Sequence, residues 1–129
     1  MRIKHFGGIE IVSTLSEFES ILNLRYGENA NEFWITKNEI EEKPCLAILV
    51  KDNYANVTFF PNYDHMGFQS LSPDDSEKDD EYMVFYTNTP EEEIEVSTSM
   101  VVAWDSALEA AKEFFTTLVK PTCLEWEEL

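Results

Sequence analysis

The sequence predicts an α+β fold in which a mainly antiparallel β-sheet packs against two α-helices, with residues 1–129 forming a single domain. Two segments with apolar residues every three or four positions lie towards opposite ends of the chain, and six short segments of strand composition lie between them. Turn residues separate these segments, which favours an antiparallel sheet with helices on one side. With 129 residues, 43% of them hydrophobic, the chain can build one core, since domains cluster near ~100–150 residues.

A short strand and an amphipathic helix are predicted at the start of the chain. Residues 9–12 favour a strand after Gly7-Gly8 and leave His5 in a frayed terminus. Thr14 and Glu17 have the spacing of a capping box, in which the hydroxyl and the carboxylate each satisfy a free backbone donor. Gly27 is predicted to end the helix after about three turns. The apolar face of the helix consists of Leu15, Phe18, Ile21, Leu22 and Tyr26.

The middle of the chain reads as a series of strands. Leu46–Val50 is a continuous apolar run, which is typical of a central strand covered on both faces. The turn residues Lys51–Tyr54 connect it to Ala55–Phe60 and predict a hairpin. Glu93–Val96 alternates polar and apolar residues, as an edge strand with one wet face does. The remaining predicted strands are Glu32–Thr36, Gly67–Leu71 and Tyr82–Tyr86.

A second helix and a final strand are predicted in the last third of the chain. Apolar residues recur at helical spacing from Trp104 to Leu118, and the charges complement the helix dipole, with acids towards the start and lysines towards the end. Pro121 ends this segment because proline cannot continue a helix. Thr122–Trp126 then predicts a short last strand.

The charge of the chain excludes several classes of partner. The 26 Asp and Glu residues outnumber the nine Lys and Arg residues, which gives a formal net charge of −17. Such a chain repels nucleic acid and anionic membranes and attracts cationic surfaces over a Debye length of about 8–10 Å. The chain also lacks a signal-peptide pattern and a run near the ~20 apolar residues of a membrane span. We therefore expect a cytoplasmic protein that binds neither nucleic acid nor membrane.

Much of the negative charge is concentrated in one part of the chain. Between Asp74 and Glu95 there are ten acidic residues and one lysine, so this stretch carries more than half of the excess negative charge. Two predicted loops hold nine of these acids, Asp74–Glu81 and Glu91–Glu93, on either side of the strand Tyr82–Tyr86. A field concentrated in this way raises the association rate with a cationic partner more than it raises affinity.

Aromatic residues close to these loops complete a predicted partner-binding surface. Protein interfaces place aromatic anchors at the centre of a polar, charged rim. Two structural alternatives remain open: the charge could serve solubility alone, or the acidic loop could be solvated while its aromatic neighbours lie in the core. The residues predicted to contact the partner are Tyr63, Asp64, Phe68, Asp74, Asp75, Glu77, Asp79, Asp80 and Glu81.

An enzymatic function is disfavoured. Asp64 and His65 place a carboxylate beside an imidazole, but no nucleophile elbow, phosphate-binding glycine loop or zinc-protease motif accompanies them. Cys45 and Cys123 show neither zinc-site nor disulfide-framework spacing and are predicted to be buried thiols of a reducing compartment. The acidic loop lacks the glycine and the ligand spacing of a calcium site. We therefore expect no catalytic residue, no metal and no cofactor in this chain.

The end of the chain resembles a known family. Its distinctive segments are Val101-Val102, Ala110–Thr116, Pro121 and Leu124–Leu129, which together cover about 30 residues. In this pattern a helix with an A-A-K-x-F-F core runs to a proline and then to a short strand ending in W-x-E-L. It is similar to the ending of bacterial immunity proteins from polymorphic toxin systems, in the family that neutralises deaminase toxins, including a cytosine deaminase of double-stranded DNA.

The resemblance implies a function and a partner. It implies a cytoplasmic immunity protein that forms a one-to-one complex with a basic toxin domain, a zinc-dependent nucleic-acid deaminase, and blocks the toxin's substrate channel. The zinc then belongs to the toxin. Two alternatives stay open: an immunity protein of the same fold against a nuclease toxin, and an acidic regulatory or scaffold module without a toxin.

Overall fold

The computed structural model of the protein describes residues 1–73 and 81–129. Within them the fold consists of ten β-strands, two α-helices and one 3₁₀ turn. In chain order they are β1 Arg2–His5, β2 Gly8–Ile11, α1 Leu15–Leu22, β3 Ala30–Thr36, β4 Cys45–Lys51, β5 Tyr54–Phe60, β6 Phe68–Ser70, β7 Tyr82–Tyr86, β8 Glu93–Ser97, the 3₁₀ turn Thr98–Met100, β9 Val102–Ala103, α2 Trp104–Thr117 and β10 Trp126–Glu128.

Eight of these strands form one main sheet. Its order is β10-β6-β5-β4-β3-β1-β2, with the short β9 paired to β5, and all of these pairings are antiparallel. Strands β7 and β8 form a separate antiparallel hairpin. Both helices pack on one face of the main sheet, so the predicted α+β fold with a mainly antiparallel sheet and two helices is confirmed.

The hydrophobic core lies between the main sheet and the helices. Alternate residues of a strand point to opposite faces, and those of β3, β4 and β5 on the helix side are fully buried or nearly so. We call this the covered face. Phe18 of α1 packs against Phe115 of α2, with ring centroids 4.9 Å apart and ring planes tilted by 44°. The core side chains contributed by the three central strands are Phe33, Ile35, Leu46, Ile48, Val50, Ala55, Val57 and Phe59.

The predicted hairpin of β4 and β5 is confirmed. Lys51 pairs with Tyr54, which leaves Asp52 and Asn53 as a two-residue turn. Asp52 adopts a left-handed conformation with φ 54°, which Asp tolerates better than most residues. Its backbone N–H donates to the Asn29 carbonyl at 3.0 Å, and the Asn29 amide donates to the Asp52 carboxylate at 3.1 Å. The turn is therefore fastened to the chain segment that precedes β3.

The start of α1 follows the prediction, whereas its end does not. The Thr14 hydroxyl accepts from the Glu17 N–H, and the Glu17 carboxylate accepts from the Thr14 N–H, both at 3.2 Å, so the capping box is confirmed. The helix ends at Leu22 rather than at Gly27. Asn23 caps it, because both its backbone N–H and its side-chain amide donate to the Glu19 carbonyl. Asparagine competes for backbone groups in this way and so favours helix ends.

The predicted frayed N-terminus is wrong. Residues 2–5 form β1, which lies between β2 and β3, and His5 is only 7% exposed. Its Nδ1 atom accepts from the Gly7 N–H at 3.1 Å and its Nε2 atom lies 3.2 Å from the Glu10 carboxylate. The sequence signal was weak because Ile3 is the one aliphatic residue between charged neighbours. Pairing on both sides of β1 supplies the order that local propensity does not.

The two cysteines differ in their surroundings. Cys45 is buried, as predicted, and burial raises the pKa of its thiol to about 11. Cys123 is exposed, so the prediction of burial is wrong there. It lies in the irregular segment between α2 and β10, just after Pro121. Partial burial and the carboxylates of Glu113 and Glu109 still raise the pKa of its thiol.

The C-terminal elements follow the prediction with a shift in the last strand. Helix α2 ends at Thr117, and Leu118 takes a left-handed conformation while its N–H donates to the Phe114 carbonyl. The final strand begins at Trp126 rather than four residues earlier. The indole N–H of Trp126 donates to the Pro121 carbonyl at 2.9 Å. This bond fixes the ring against the segment after the helix and places β10 beside β6.

The β7–β8 hairpin lies against the other face of the main sheet, which we call the open face. β7 packs on β3 and β4, and Phe85 is fully buried there. The predicted complete cover of β4 is only partly correct, because Ala47 and Leu49 on this side are half-buried. Within the described residues Tyr82–Tyr86 pairs with β8 alone. The hairpin therefore covers part of a sheet face on which no helix of residues 1–73 and 81–129 packs.

Candidate partner-binding surface

Two of the predicted contact residues lie on an exposed loop. Tyr63 and Asp64 belong to the segment between β5 and β6, and the Tyr63 side chain is 70% exposed. The Asp64 N–H donates to the Asn62 carboxamide oxygen at 3.0 Å, which is the pattern of a local Asx turn. Both side chains are thus accessible, and their role in binding stays a prediction.

Phe68, also predicted to contact the partner, is half-buried at the start of β6. Its ring stacks on the His65 ring with centroids 4.7 Å apart and packs beside Phe59 in the core. The Lys120 ammonium lies 4.1 Å from the Phe68 ring centroid. Phe68 therefore supports the loop that carries Tyr63, and its direct contact with a partner stays a prediction.

The neighbouring Asp64 and His65 do not form a catalytic pair in this geometry. The His65 Nε2 atom lies 2.6 Å from the carboxylate of Glu128, and its Nδ1 atom accepts from the Gly67 N–H at 2.8 Å. Both ring nitrogens are therefore engaged by structural partners that join the loop to β10. His65 therefore holds the β5–β6 loop against β10.

The acidic part of the prediction falls at the edge of the described chain. Glu81 is exposed directly before β7, and its backbone carbonyl accepts from the Thr98 N–H at 3.0 Å. The other acidic residues predicted to contact the partner lie outside the described residues; they are Asp74, Asp75, Glu77, Asp79 and Asp80.

The structure places the described contact residues at opposite ends of the sheet. Tyr63 and Asp64 follow Phe60, the last residue of β5, whereas the Glu81 end of the hairpin lies beside Tyr54, the first residue of β5. A strand rises about 3.3 Å per residue, so the two groups lie roughly 20 Å apart along β5. They do not form one compact patch.

A buried carboxylate anchors the turn of the hairpin. Glu32 of β3 is 7% exposed, and its two oxygens accept from the Thr87 hydroxyl at 2.6 Å and from the Asn88 N–H at 3.0 Å. The Asn88 amide in turn donates to the Glu92 carboxylate at 2.6 Å. These bonds hold the turn of residues 87–92 over the sheet. The exposed carboxylates that the hairpin thereby presents are Glu91, Glu92, Glu93 and Glu95.

A cleft of about 410 Å³ separates the hairpin from the open face of the main sheet. We call it the aromatic cleft. Trp34 and Phe60 stack there across β4, with ring centroids 6.2 Å apart and ring planes 17° from parallel. The Lys43 ammonium lies 4.3 Å from the Phe60 ring centroid. The side chains that define the cleft are Trp34, Leu49, Phe60, Ile94, Glu95 and Met100.

Trp34 and Phe60 were not predicted as surface residues, although the sequence holds a signal for them. Each follows another aromatic residue in its strand, as Phe33-Trp34 and Phe59-Phe60. Because side chains alternate between faces, one member of each pair must point away from the helices. That leaves two aromatic rings on the open face.

Other kinds of site were sought within residues 1–73 and 81–129. No group of three or more His, Cys, Asp or Glu side chains there is arranged to hold a metal ion. In the same residues no helix is long and apolar enough to cross a membrane. The prominent features of the described chain are instead an acidic hairpin, anchored to the sheet by Glu32, and the aromatic cleft between this hairpin and the sheet. An acidic hairpin beside an aromatic cleft forms a surface that a cationic partner can contact.

Comparison with known proteins identifies the family. Residues 8–128 match the family described as Immunity protein Imm1. The chain is also 35% identical over 125 residues to the double-stranded DNA deaminase immunity protein of Burkholderia cenocepacia (strain H111), an alignment that covers 95% of this chain and 94% of the relative. The chain belongs to the Imm1 family of immunity proteins, and the resemblance inferred from its C-terminal segments is confirmed.

Family membership decides between the functional alternatives. The chain is an immunity protein, and its partner is a cognate toxin. The alternative of an acidic regulatory module without a toxin is therefore not supported.

Proposed function

We propose that this protein neutralises a nucleic-acid deaminase toxin by occupying its basic substrate channel in a one-to-one complex. The observation that carries the proposal is the acidic hairpin, which presents Glu91, Glu92, Glu93 and Glu95 on a chain of net charge −17. The relative from Burkholderia cenocepacia, whose name states that it is a double-stranded DNA deaminase immunity protein, supports a toxin of the same class.

The mechanism follows from what such a toxin must bind. A deaminase of nucleic acid holds the phosphate backbone in a cationic channel and takes the target base into a pocket with zinc and a glutamate. Carboxylates on the hairpin that Glu32 anchors occupy the places of the phosphates and so exclude the substrate. The inhibitor itself needs no catalytic group and no metal, and the zinc is the toxin's. On this proposal the chain is not an enzyme.

Long-range attraction between the two proteins speeds their encounter. A strongly acidic surface steers a cationic partner and raises the association rate constant at low salt, and screening weakens the effect as ionic strength rises. The acids predicted from the sequence between residues 74 and 81 extend this field. Tyr63, Asp64 and Phe68 would add contacts from the loop at the other end of β5.

The first experiment is capture of the partner from the native bacterium. The tagged protein is retained at moderate salt, bound proteins are identified by mass spectrometry, and the recovered toxin domain is assayed on single- and double-stranded DNA. We expect deamination that falls linearly with added protein and stops at one equivalent. A captured toxin that cleaves nucleic acid would contradict the deaminase proposal and support the nuclease alternative. Inhibition that needs a large excess would contradict tight occlusion.

Charge reversal tests the acidic surface. Asp79→Lys combined with Asp80→Lys should slow association with the captured toxin several-fold at low salt, and the difference should shrink as salt is added. The matched control makes the same charge change on α2, with Asp105→Lys and Glu109→Lys, both exposed on the helix side. Equal association rates for the two variants at low salt would show that net charge alone matters, and not its location.

A further inference from the structure

We propose that the aromatic cleft binds an arginine side chain of the toxin, which stacks on Trp34 and pairs with the Glu95 carboxylate. This inference rests on the proposed function and adds to it a specific contact. Trp34 and Glu95 both line the cleft, the first from the sheet floor and the second from the hairpin wall. The chemistry of the two residues, their exposure and the size of the cleft point to this occupant.

One of the two aromatic rings of the cleft already has a cation beside it. Trp34 is 37% exposed although both of its chain neighbours, Phe33 and Ile35, are fully buried. The Lys43 ammonium 4.3 Å from the Phe60 ring centroid shows that this aromatic pair accepts a positive charge on its face. A tryptophan face attracts cations more strongly than a phenylalanine face does.

The wall of the cleft supplies an available carboxylate. Glu95 is exposed, and within residues 1–73 and 81–129 it has no ion pair or hydrogen-bonding side-chain partner. Glu32, the other acid at the cleft, has both oxygens engaged by the hairpin turn. Glu95 is therefore the carboxylate that an incoming cation can pair with, while Glu32 holds the wall in place.

The dimensions of the cleft suit a short protein segment. It is lined by residues from β3, β4, β5 and β6, and neighbouring strands lie about 4.8 Å apart, so it spans roughly 14 Å. That length accommodates about four residues of extended chain. Its volume of about 410 Å³ has room for one long side chain and the backbone beside it.

Arginine fits these features better than lysine. A planar guanidinium can stack on an indole ring while its N–H groups form a bidentate pair with a carboxylate, whereas an ammonium cannot do both. Arginine is also a residue with which nucleic-acid enzymes contact phosphates. Pairing with Glu95 would therefore withdraw from the toxin a group that it needs for its own substrate.

The test uses the captured toxin domain, made inactive by replacing its catalytic glutamate, and isothermal titration calorimetry against the full-length immunity protein. Trp34→Ala and Glu95→Gln should each raise the dissociation constant about tenfold or more. The matched controls are Leu15→Ala, an exposed apolar residue at the start of α1 on the covered side, and Glu109→Gln on α2, which should each change the dissociation constant less than about threefold. Glu95→Gln alters an exposed residue, so its result is independent of any effect of Trp34→Ala on folding.

A double-mutant cycle identifies the arginine. Each arginine of the toxin is changed to lysine, which keeps the charge and removes the planar group. For one of these arginines, the change to lysine should weaken binding to the wild-type immunity protein but should not weaken binding to the Trp34→Ala variant any further. Full binding by Trp34→Ala and Glu95→Gln, or additive losses for every arginine, would overturn this inference and leave the proposed function standing. No binding by the wild-type protein would overturn both.

Discussion

The two faces of the main sheet have the same strands but different neighbours. On the covered face, Phe33 is fully buried between the sheet and the helices, with its ring centroid 6.5 Å from that of Trp104. On the open face, Trp34, the next residue in the chain, borders a cleft and is partly exposed. A single strand thus serves stability on one side and, on our proposal, recognition on the other. Alternation of side chains makes this division available to every strand of a sheet with helices on one face only.

The exposed carboxylates of the hairpin also distinguish the two faces of the sheet. The exposed carboxylates of the hairpin lie over the open face, where Glu32 anchors the turn that carries them. On the covered side the core consists of apolar side chains, to which α2 contributes Ala107, Ala111 and Phe114. The open face therefore combines aromatic surface with negative charge, which is the composition that a cationic partner requires.

The largest expected difference between the two faces is in folding stability. Phe33→Ala should lower the free energy of unfolding by about 3–5 kcal/mol, because it removes a fully buried ring and leaves a cavity. Trp34→Ala should lower it by less than about 2 kcal/mol, since the indole is already partly solvated. Urea unfolding followed by circular dichroism measures both values. Similar losses for the two neighbours would contradict the division between the faces.

The next effect concerns the anchor of the hairpin. Glu32→Ala leaves the Thr87 hydroxyl and the Asn88 N–H without their acceptor and should cost about 1–3 kcal/mol. Hydrogen exchange should quicken at residues 85–95 while β4 stays protected, because the hairpin detaches before the sheet opens. Glu32→Gln keeps one oxygen acceptor and serves as the control with a smaller effect. Uniform acceleration across the sheet would show that Glu32 supports the whole fold and not the hairpin alone.

A smaller effect is expected in the helix layer. Thr14→Ala removes the cap of α1 and should lower the free energy of unfolding by about 1 kcal/mol. Thr14→Ser retains the hydroxyl, so the free energy of unfolding should change little. Because α1 lies on the covered face, toxin binding by the Thr14→Ala variant should equal that of the wild type once both are folded. Weaker binding, measured by calorimetry below the melting temperature, would place part of the interface on the helix side.

The smallest effect concerns the reactivity of the two cysteine thiols and involves no change in folding stability. At pH 8 iodoacetamide should modify the exposed Cys123 first, while Cys45 should react only after urea is added, because its thiol is buried and its pKa is raised to about 11. The intact mass of the protein after timed quenching measures the order. A Cys123→Ser variant that is still labelled in the native state would show that the Cys45 end of the open face is less covered than the structure has it.

Local features were predicted well from the residues alone. The capping box of Thr14 and Glu17, the β4–β5 hairpin and the helix that begins at Trp104 all depend on interactions between residues near in sequence. Where a local competitor was overlooked, the prediction failed. Asn23 ended α1 four residues before Gly27 because its side chain takes up a helix carbonyl.

The candidate site was predicted only in part. The sequence showed where negative charge is concentrated and which aromatic residues lie near it in the chain. It did not show that Tyr63 and Glu81 lie at opposite ends of β5, nor that Trp34 and Phe60 meet across β4. Those are relations between strands that pair in three dimensions, and the spacing of residues along one chain does not contain them.

Taken by itself, the sequence determined the strongly acidic surface, the α+β class, most of the helix and strand positions and the resemblance to immunity proteins. Tertiary structure alone decided that β1 is ordered and that the β7–β8 hairpin packs over the sheet instead of joining it. It also decided that, in the described part of the chain, both helices lie on one face of the sheet. The reason is physical. Propensity and alternation act between near neighbours and define two faces for every strand, but which face is covered depends on where distant elements pack.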